Sequence, residues 1–193
     1  MRIELKAHDQ IMGRFGHQLE ALGEGKAERA LYRAGKHTLG KARTRVVRAL
    51  TKQTGLPRKT IDRAVKDISP KWGTLNFTLQ TRGGNVSLKY FRARETRAGV
   101  SAAPWGKRQV WAGSFMRAGW WPKRVDKPNW NGQVFLRTGS TTGTGMDRFE
   151  KQRSGLFIPE ELLKDETAAA WETVIKTDLF PRVQHEISRL LPR

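Results

Sequence analysis

The chain has 193 residues, of which 37 are Lys or Arg and 18 are Asp or Glu, giving a net charge of +19. It contains no cysteine, which excludes disulfides and thiolate chemistry, and no apolar run approaches the ~20 residues of a membrane helix. With 37% hydrophobic residues and seven tryptophans, the composition is that of a folded domain with a real core rather than a disordered segment.

The charge is uneven. Seven acids and five bases lie between Pro159 and Arg193, so residues 1–158 carry +21. A basic body of this kind suits a polyanionic neighbour or an acidic protein surface and opposes self-association without counter-charge. The first residues, "MRIELKAHDQIMGRF", are charged throughout with no signal-peptide core, which makes synthesis in the cytoplasm the simplest expectation.

In chain order, Ile3 and Leu5 alternate as in a short strand. Ile11, Phe15, Leu19 and Leu22 follow at helical spacing, weakened by Gly13 and Gly16. The clearest helix covers Lys26 to Arg48. Its face of Ala27, Leu31, Ala34, Thr38, Ala42 and Val46 suits close approach to a sheet, and its basic residues cover the rest. Interior Gly35 and Gly40 each cost about 1 kcal/mol against alanine, a cost that close packing would offset. The helix should end near Gly55 and restart at Pro57 or Arg58, with Ile61, Val65 and Ile68 as a second apolar stripe.

After Pro70 the period becomes two. Leu75, Phe77 and Leu79 share one face, as do Val86, Leu88 and Tyr90, and "RGGN" between them is a hairpin signal. By the same alternation Lys89, Phe91 and Ala93 would face the other way. "KRQVWAGSFMRAGWW" and "QVFLRTG" are expected as further strands, with the turn dipeptide Asn131-Gly132 between them. "TGSTTGTGMD" is expected as a rim loop. The final helix carries Trp171, Val174, Leu179, Val183, Ile187 and Leu190, with Pro181 expected to kink or split it. The predicted organisation is one α+β domain over 1–193: 1–70 mostly helical, 71–145 an antiparallel curved sheet, 146–158 a loop and 159–193 a C-terminal helix, with the helices on one face of the sheet.

Catalytic patterns are missing. His8, His17, His37 and His185 do not stand at metal-ligand spacing, and no strand–GxSxG–helix or GxxxxGK[ST] pattern occurs. Glu160-Glu161 and Asp165-Glu166 open the final helix, where they complement its dipole. Between Gly73 and Gly145 the acids are Glu95 and Asp126, too few for a carboxylate metal nuclease. No catalytic, cofactor-binding or metal residue is expected. "KYFRAR", "WGKRQVWAGSFMR" and "GWWPKR" interleave aromatic rings with cations. This mixture serves single-stranded nucleic-acid binding when the rings are exposed, and an ordinary core with a wet basic face when they are not.

One pattern goes further. Leu88, Phe91, Ala93, Arg94, Gly99, Val100 and Ser101, "VFLRTG" from Val134 to Gly139, the alanine-rich basic helix and "TGLPRKTI" together resemble the minor tail protein Z family of tailed bacteriophages, over roughly Ala27 to Arg193. The resemblance implies a non-enzymatic tail completion protein at the head-proximal end of the virion tail. It implies a helix-packed antiparallel sheet assembling as a homo-oligomeric ring, beside tail terminator, tube or connector proteins, around the DNA path and away from any membrane. The positions expected at partner interfaces are Arg92, Arg94, Arg97, Phe91 and Arg137. Those expected to face DNA are Arg43, Arg45, Arg48, Lys107 and Arg108. A free-standing nucleic-acid-binding module using an aromatic and arginine sheet face is the alternative.

Overall fold

The computed structural model describes residues 1–5, 8–69 and 76–191. Strand β1 (Arg2–Leu5) leads to helices α1 (His8–Leu22), α2 (Glu24–Thr54) and α3 (Arg58–Ala64). The strands are β2 (Val65–Ile68), β3 (Phe77–Thr81), β4 (Asn85–Ser87), β5 (Arg94–Thr96), β6 (Gly99–Ala102), β7 (Gln109–Ala112), β8 (Phe135–Thr141), β9 (Asp147–Lys151) and β10 (Arg153–Phe157). Helices α4 (Ile158–Leu162) and α5 (Asp165–Ser188) close the chain. The class is α+β, with helices at both ends and antiparallel strand pairing. Among the described residues the strands form four small sheets, in the orders β1-β3-β2, β10-β4, β5-β6-β7 and β8-β9.

Helix α2 is the spine. Its 31 residues bury Leu31, Ala34, Thr38, Ala42 and Val46, the small-residue face of the sequence, with Ala27 partly buried. That face lies on the β1-β3-β2 sheet and on α5, which contributes Trp171, Val174, Leu179, Val183 and Ile187 to the same core. The tightest approach is at Gly35. A Cβ there would sit 2.1 Å from Phe77 Cε2 of β3, so only glycine lets the ring come this close to the helix. One turn earlier the Tyr32 ring meets the same Phe77 ring at 5.9 Å between centroids. Packing thus offsets the helix cost of Gly35. Gly40 differs: a Cβ there meets nothing within 4 Å.

The helix stops where a left-handed residue is needed. Gly55 (φ 73°) donates its N–H to Thr51 O at 3.1 Å, closing the C-terminus. A side chain at Gly55 would also strike the backbone nitrogen of Gly106 at 2.7 Å. Helix α1 lies against α2 and α5 through Ile11, Phe15, Leu19 and Leu22. Phe15 meets Phe180 of α5 at 6.4 Å, with Arg14 over both rings.

Several expectations change. Val65 and Ile68 do not extend the α3 stripe. The chain becomes extended at Val65 (φ −95°, ψ 117°), and both β-branched residues join β2, opposite β3. "RGGN" does not close a hairpin: β3 already has β1 and β2 on its two edges, so β4 pairs with β10 instead. Leu75 lies outside the described residues. Alternation fails after Ser87, where Leu88–Tyr90 form a 3₁₀ turn. At three residues per turn Leu88 and Phe91 both point inward and are buried, while Tyr90 is exposed.

The long strand expected from Lys107 to Trp121 is shorter. Strand β7 ends at Ala112, where Gly113 (φ 71°) turns the chain. Beyond it, single antiparallel bridges join Phe115 to Phe135 and Ala118 to Val125. Asn131 and Gly132 (φ 48° and 65°) do form a tight turn, with Gln133 N donating to Trp130 O. The "TGSTTGTGMD" segment contributes the end of β8 and the tip of the β8–β9 hairpin. Residues 146–158, expected as a loop, hold β9 and β10. Every residue of β9 is exposed, so no apolar alternation marked it.

The final helix breaks at Leu163–Lys164 between α4 and α5, and α5 runs through Pro181. Buried Leu179 and Val183 hold the helix on both sides of the proline. The carbonyl that Pro181 leaves without its helical donor belongs to exposed Thr177, within reach of water. The paired acids therefore open two helices: Glu160 and Glu161 in α4, Asp165 and Glu166 in α5.

The two α2 glycines make opposite predictions. Gly35→Ala should destabilise the fold by about 1–3 kcal/mol through overpacking on Phe77. Gly40→Ala should stabilise it by up to about 1 kcal/mol through helix propensity. Urea denaturation of both variants checks this, and equal midpoints for the two would refute the packing argument.

Candidate functional site

The arginine run follows the buried 3₁₀ turn. Phe91 closes that turn and is 1% exposed, with its carbonyl accepting from Ala103 N at 3.0 Å. It is a core residue and cannot form a partner interface as the sequence suggested, because the 3₁₀ geometry turns it in beside Leu88. Arg92 follows in the left-handed region (φ 53°), and β5–β6 then form a hairpin pairing Arg94 with Ser101, Glu95 with Val100 and Thr96 with Gly99. Thr96 Oγ1 donates to Gly99 O at 2.7 Å across the turn that carries Arg97.

Arg92, Arg94 and Arg97 are exposed, and none makes an ion pair or side-chain hydrogen bond with another described residue. The nearest acid in sequence is engaged elsewhere. Glu95 points to the opposite side of β5 and pairs with Arg124 at 2.7 Å, the two side chains being 7% and 11% exposed. Neither Glu95 oxygen makes an aligned hydrogen bond, so the pair is held by charge in a nearly dry site. Asp126, the other acid of this region, pairs with Arg117 at 2.9 Å. The three arginines do not converge on one pocket. Arg92 borders a depression with Gly55, Arg58 and Arg108, whereas Arg94 borders one with Arg117, Asp126 and Lys127. They form a cationic rim along the hairpin.

Arg137 is occupied within the chain. Phe115, Trp130, Phe135 and Phe149 pack with centroids 4.9–6.1 Å apart. The Arg137 guanidinium lies 4.6 Å from the Phe115 centroid and 4.3 Å from that of Trp120, and its Nε donates to Asp147 Oδ2 at 3.0 Å. It ties β8 to β9 and to the 113–134 segment. Of the rings in the aromatic and basic stretches, Phe91 and Phe115 are buried and Trp111 is partly buried, whereas Tyr90, Trp105, Trp120 and Trp121 are exposed. Trp120 and Trp121, 70% and 48% exposed, stand at the tip of the small hairpin bridged at Ala118 and Val125.

The positions expected to face DNA are scattered. Arg43 is tied inward: its Nη2 donates to the carbonyls of Asp62 and Val65 at 3.3 and 3.4 Å, and it pairs with Asp62 and Asp67 at 3.4 and 3.6 Å. It locks α2 to α3 and β2. Arg45 and Arg48 are exposed on α2 and pair with no described residue. Lys107 is likewise free, while Arg108 donates to Ser101 O and Oγ at 3.4 and 3.2 Å.

Along the α2–α5 seam lies a charge network that periodicity alone did not reveal. Asp178 accepts from Thr38 Oγ1 at 3.0 Å, pairs with Lys41 and has His37 Nδ1 at 3.5 Å. Burial would raise its pKa, but the Lys41 and Thr38 hydrogen bonds and the charges of Lys41 and His37 outweigh it, so the carboxyl is held below its ordinary value. Two turns on, buried Glu186 takes Arg182 at 2.6 Å, Arg189 at 3.4 Å and Arg33 at 3.9 Å. The residue types and the apolar stripe of α5 were visible in the sequence, but which α2 side chains meet Asp178 and Glu186 was not.

Among the described residues no group of three or more His, Asp or Glu is arranged to hold a metal ion, and no helix is long and apolar enough to cross a membrane. Comparison with protein-family models, characterised proteins and solved structures finds no match.

Asp178 gives a pH prediction. Its pKa is lowered on folding, so it contributes stability that is fully present above the ordinary aspartate value near 3.8 and is lost as pH falls through the lowered one. Wild type should therefore exceed Asp178→Asn in stability at pH 7, with the gap closing at pH 2. Chemical denaturation at both pH values tests this, and a gap of equal size at pH 2 would exclude the linkage.

Proposed function

We propose that the chain is a structural tail completion protein, joining a bacteriophage tail to the head connector as a homo-oligomeric ring around the DNA path at the head-proximal end of the tail. The observation that carries this reading is the exposed, partnerless set of Arg92, Arg94 and Arg97 on the turn and hairpin built from the most family-like segment. The α+β fold, with helices against antiparallel strands, is what the resemblance to the minor tail protein Z family leads one to expect.

The physical logic is one of counter-charge. Subunits of net charge +19 repel one another at short range, so a ring of them needs acidic neighbours or a polyanion. Tail terminator, tube or connector proteins presenting carboxylates would meet that need. Arginine suits the contact because its planar fork grips a carboxylate with two hydrogen bonds. No catalytic step enters this role.

A second reading has its own observation. Trp120, exposed and stacked on Arg137, is a ring with a free face beside cations, as in a module that binds single-stranded nucleic acid by stacking. Quenching of tryptophan fluorescence by oligo-dT, lost in Trp120→Ala, would favour it.

The tail reading is tested by replacing Arg92, Arg94 and Arg97 together with alanine. The variant should fold with wild-type stability, because none of the three has a described partner, yet fail to complement a phage lacking the protein, leaving separate heads and tail tubes. Phe91→Ala is the contrast: it should cost about 3–5 kcal/mol of fold stability by emptying a core site. Complementation by the triple variant at wild-type titre would overturn the assembly role.

A further inference from the structure

The seam between α2 and α5 carries an excess of positive charge that its own acids do not neutralise. Two adjoining depressions share His37. They are lined by Arg33, Lys36, Lys41 and Arg45 from α2 and by Arg182 and Arg189 from α5. Facing these six cations are Asp178 and Glu186, both already engaged by the pairs described above. Lys36 and Arg45 are exposed and pair with no described residue, and Arg182 Nε is buried without a hydrogen-bond partner.

Gly40 sits between those free cations, in the interior of α2. Glycine weakens a helix at such a position. Gly35, just over one turn away, is required by the Phe77 ring, but apart from the adjacent residues and the helix's own backbone no described atom comes within 4 Å of a Cβ placed on Gly40. The bare helix surface lies on the wall of the groove, beside Lys41, Thr44 and Arg45. There it admits a ligand close to the backbone.

We infer that the α2–α5 groove around Gly40 is a seat for the phosphodiester backbone of duplex nucleic acid, held by Lys36 and Arg45 with the Arg182–Glu186–Arg189 cluster at one end. Charge complementarity points to a polyanion. From Arg33 to Arg45, α2 rises about 18 Å, a length over which duplex DNA presents about ten phosphate charges. No Trp, Tyr or Phe lines either depression, so unpaired bases lack the large stacking platform of a single-strand binder. Helix α2 is buried along its other face and flanked by α5, so it cannot enter a major groove. Contact is therefore to phosphates and independent of sequence. The inference goes beyond the tail reading, since it names where and by what chemistry a nucleic acid sits, and it is decided by solution binding rather than by assembly.

The test is fluorescence anisotropy with a labelled 30-base-pair duplex, a second duplex of scrambled sequence, a 30-nucleotide single strand and poly-glutamate, across a salt series. Both duplexes should bind alike and more tightly than the single strand or poly-glutamate. Lys36→Ala/Arg45→Ala should weaken duplex binding at least tenfold and flatten the slope of log K against log salt by about 1.8, as removal of two phosphate-neutralising cations requires. Gly40→Glu places its Cβ in open space and puts a negative charge on the groove wall. It should weaken binding comparably, with an unchanged circular dichroism spectrum. The triple Arg92, Arg94 and Arg97 alanine variant removes more charge yet should stay within twofold of wild type, which separates a site from a count of charges. Unchanged affinity and slope in the double variant would overturn the inference, as would tighter binding of the single strand or of poly-glutamate. Tail assembly lost in the triple variant, with duplex binding unaltered by the groove variants, would sink the groove and leave the tail reading standing.

Discussion

The contact between Gly35 of α2 and the ring of Phe77 in β3 sets the distance on which the rest of the molecule depends. With no Cβ in the way, the helix backbone lies against the sheet, and Ala34, Thr38 and Ala42 continue that close approach along the spine. A helix seated this deeply has only one long face left for solvent, so its basic residues are gathered there. The same seating presents the neighbouring face to α5, whose buried Val174, Leu179 and Val183 complete the layer. Small side chains thus decide both the core and the position of the charge.

Acidic side chains then decide which cations remain free. Glu95 holds Arg124, Asp126 holds Arg117, Asp147 holds Arg137, and Asp62 with Asp67 holds Arg43. The Asp126–Arg117 pair closes the hairpin bridged at Ala118 and Val125 and the other acids tie one element or segment to another, so the arginines they engage act as internal fasteners. Arg92, Arg94, Arg97, Lys36, Arg45 and Arg48 are among the exposed cations that no described acid engages. Two groups of these cations stand close together, one along the β5–β6 hairpin and one along the α2–α5 seam, and the two suit different neighbours. A hairpin rim can meet the surface of another protein, whereas a groove between two helices can follow a charged backbone.

The aromatic residues divide in a similar way. Phe115, Trp130, Phe135 and Phe149 stack into a satellite cluster that closes the β8–β9 end, with Arg137 laid across it. Trp120 and Trp121 stand out from that cluster on a small bridged hairpin. At Arg137 the neighbourhood of rings and cation serves structure, because a guanidinium packs on a ring face as well as a carbon side chain does and keeps its charge near water.

Periodicity and composition alone determined the α+β class, the long α2 helix with its small inward face, the stop at Gly55, the Asn131-Gly132 turn and the inward set of α5. These features are local: a helix shows its buried stripe every three or four residues, and a left-handed cap asks for glycine wherever it occurs. Only the tertiary structure decided the rest. Phe91 could be placed in the core only once Leu88–Tyr90 curled into a 3₁₀ turn, a choice of three residues over two that alternation cannot foresee. β4 found β10 because β3 had no free edge, and the exposed β9 carried no pattern to be read. Whether an arginine is a fastener or a free charge depends on which acid the fold brings within about 4 Å of it. That distance is set by packing between residues far apart in the chain, so the hairpin rim and the α2–α5 groove could be recognised only in three dimensions.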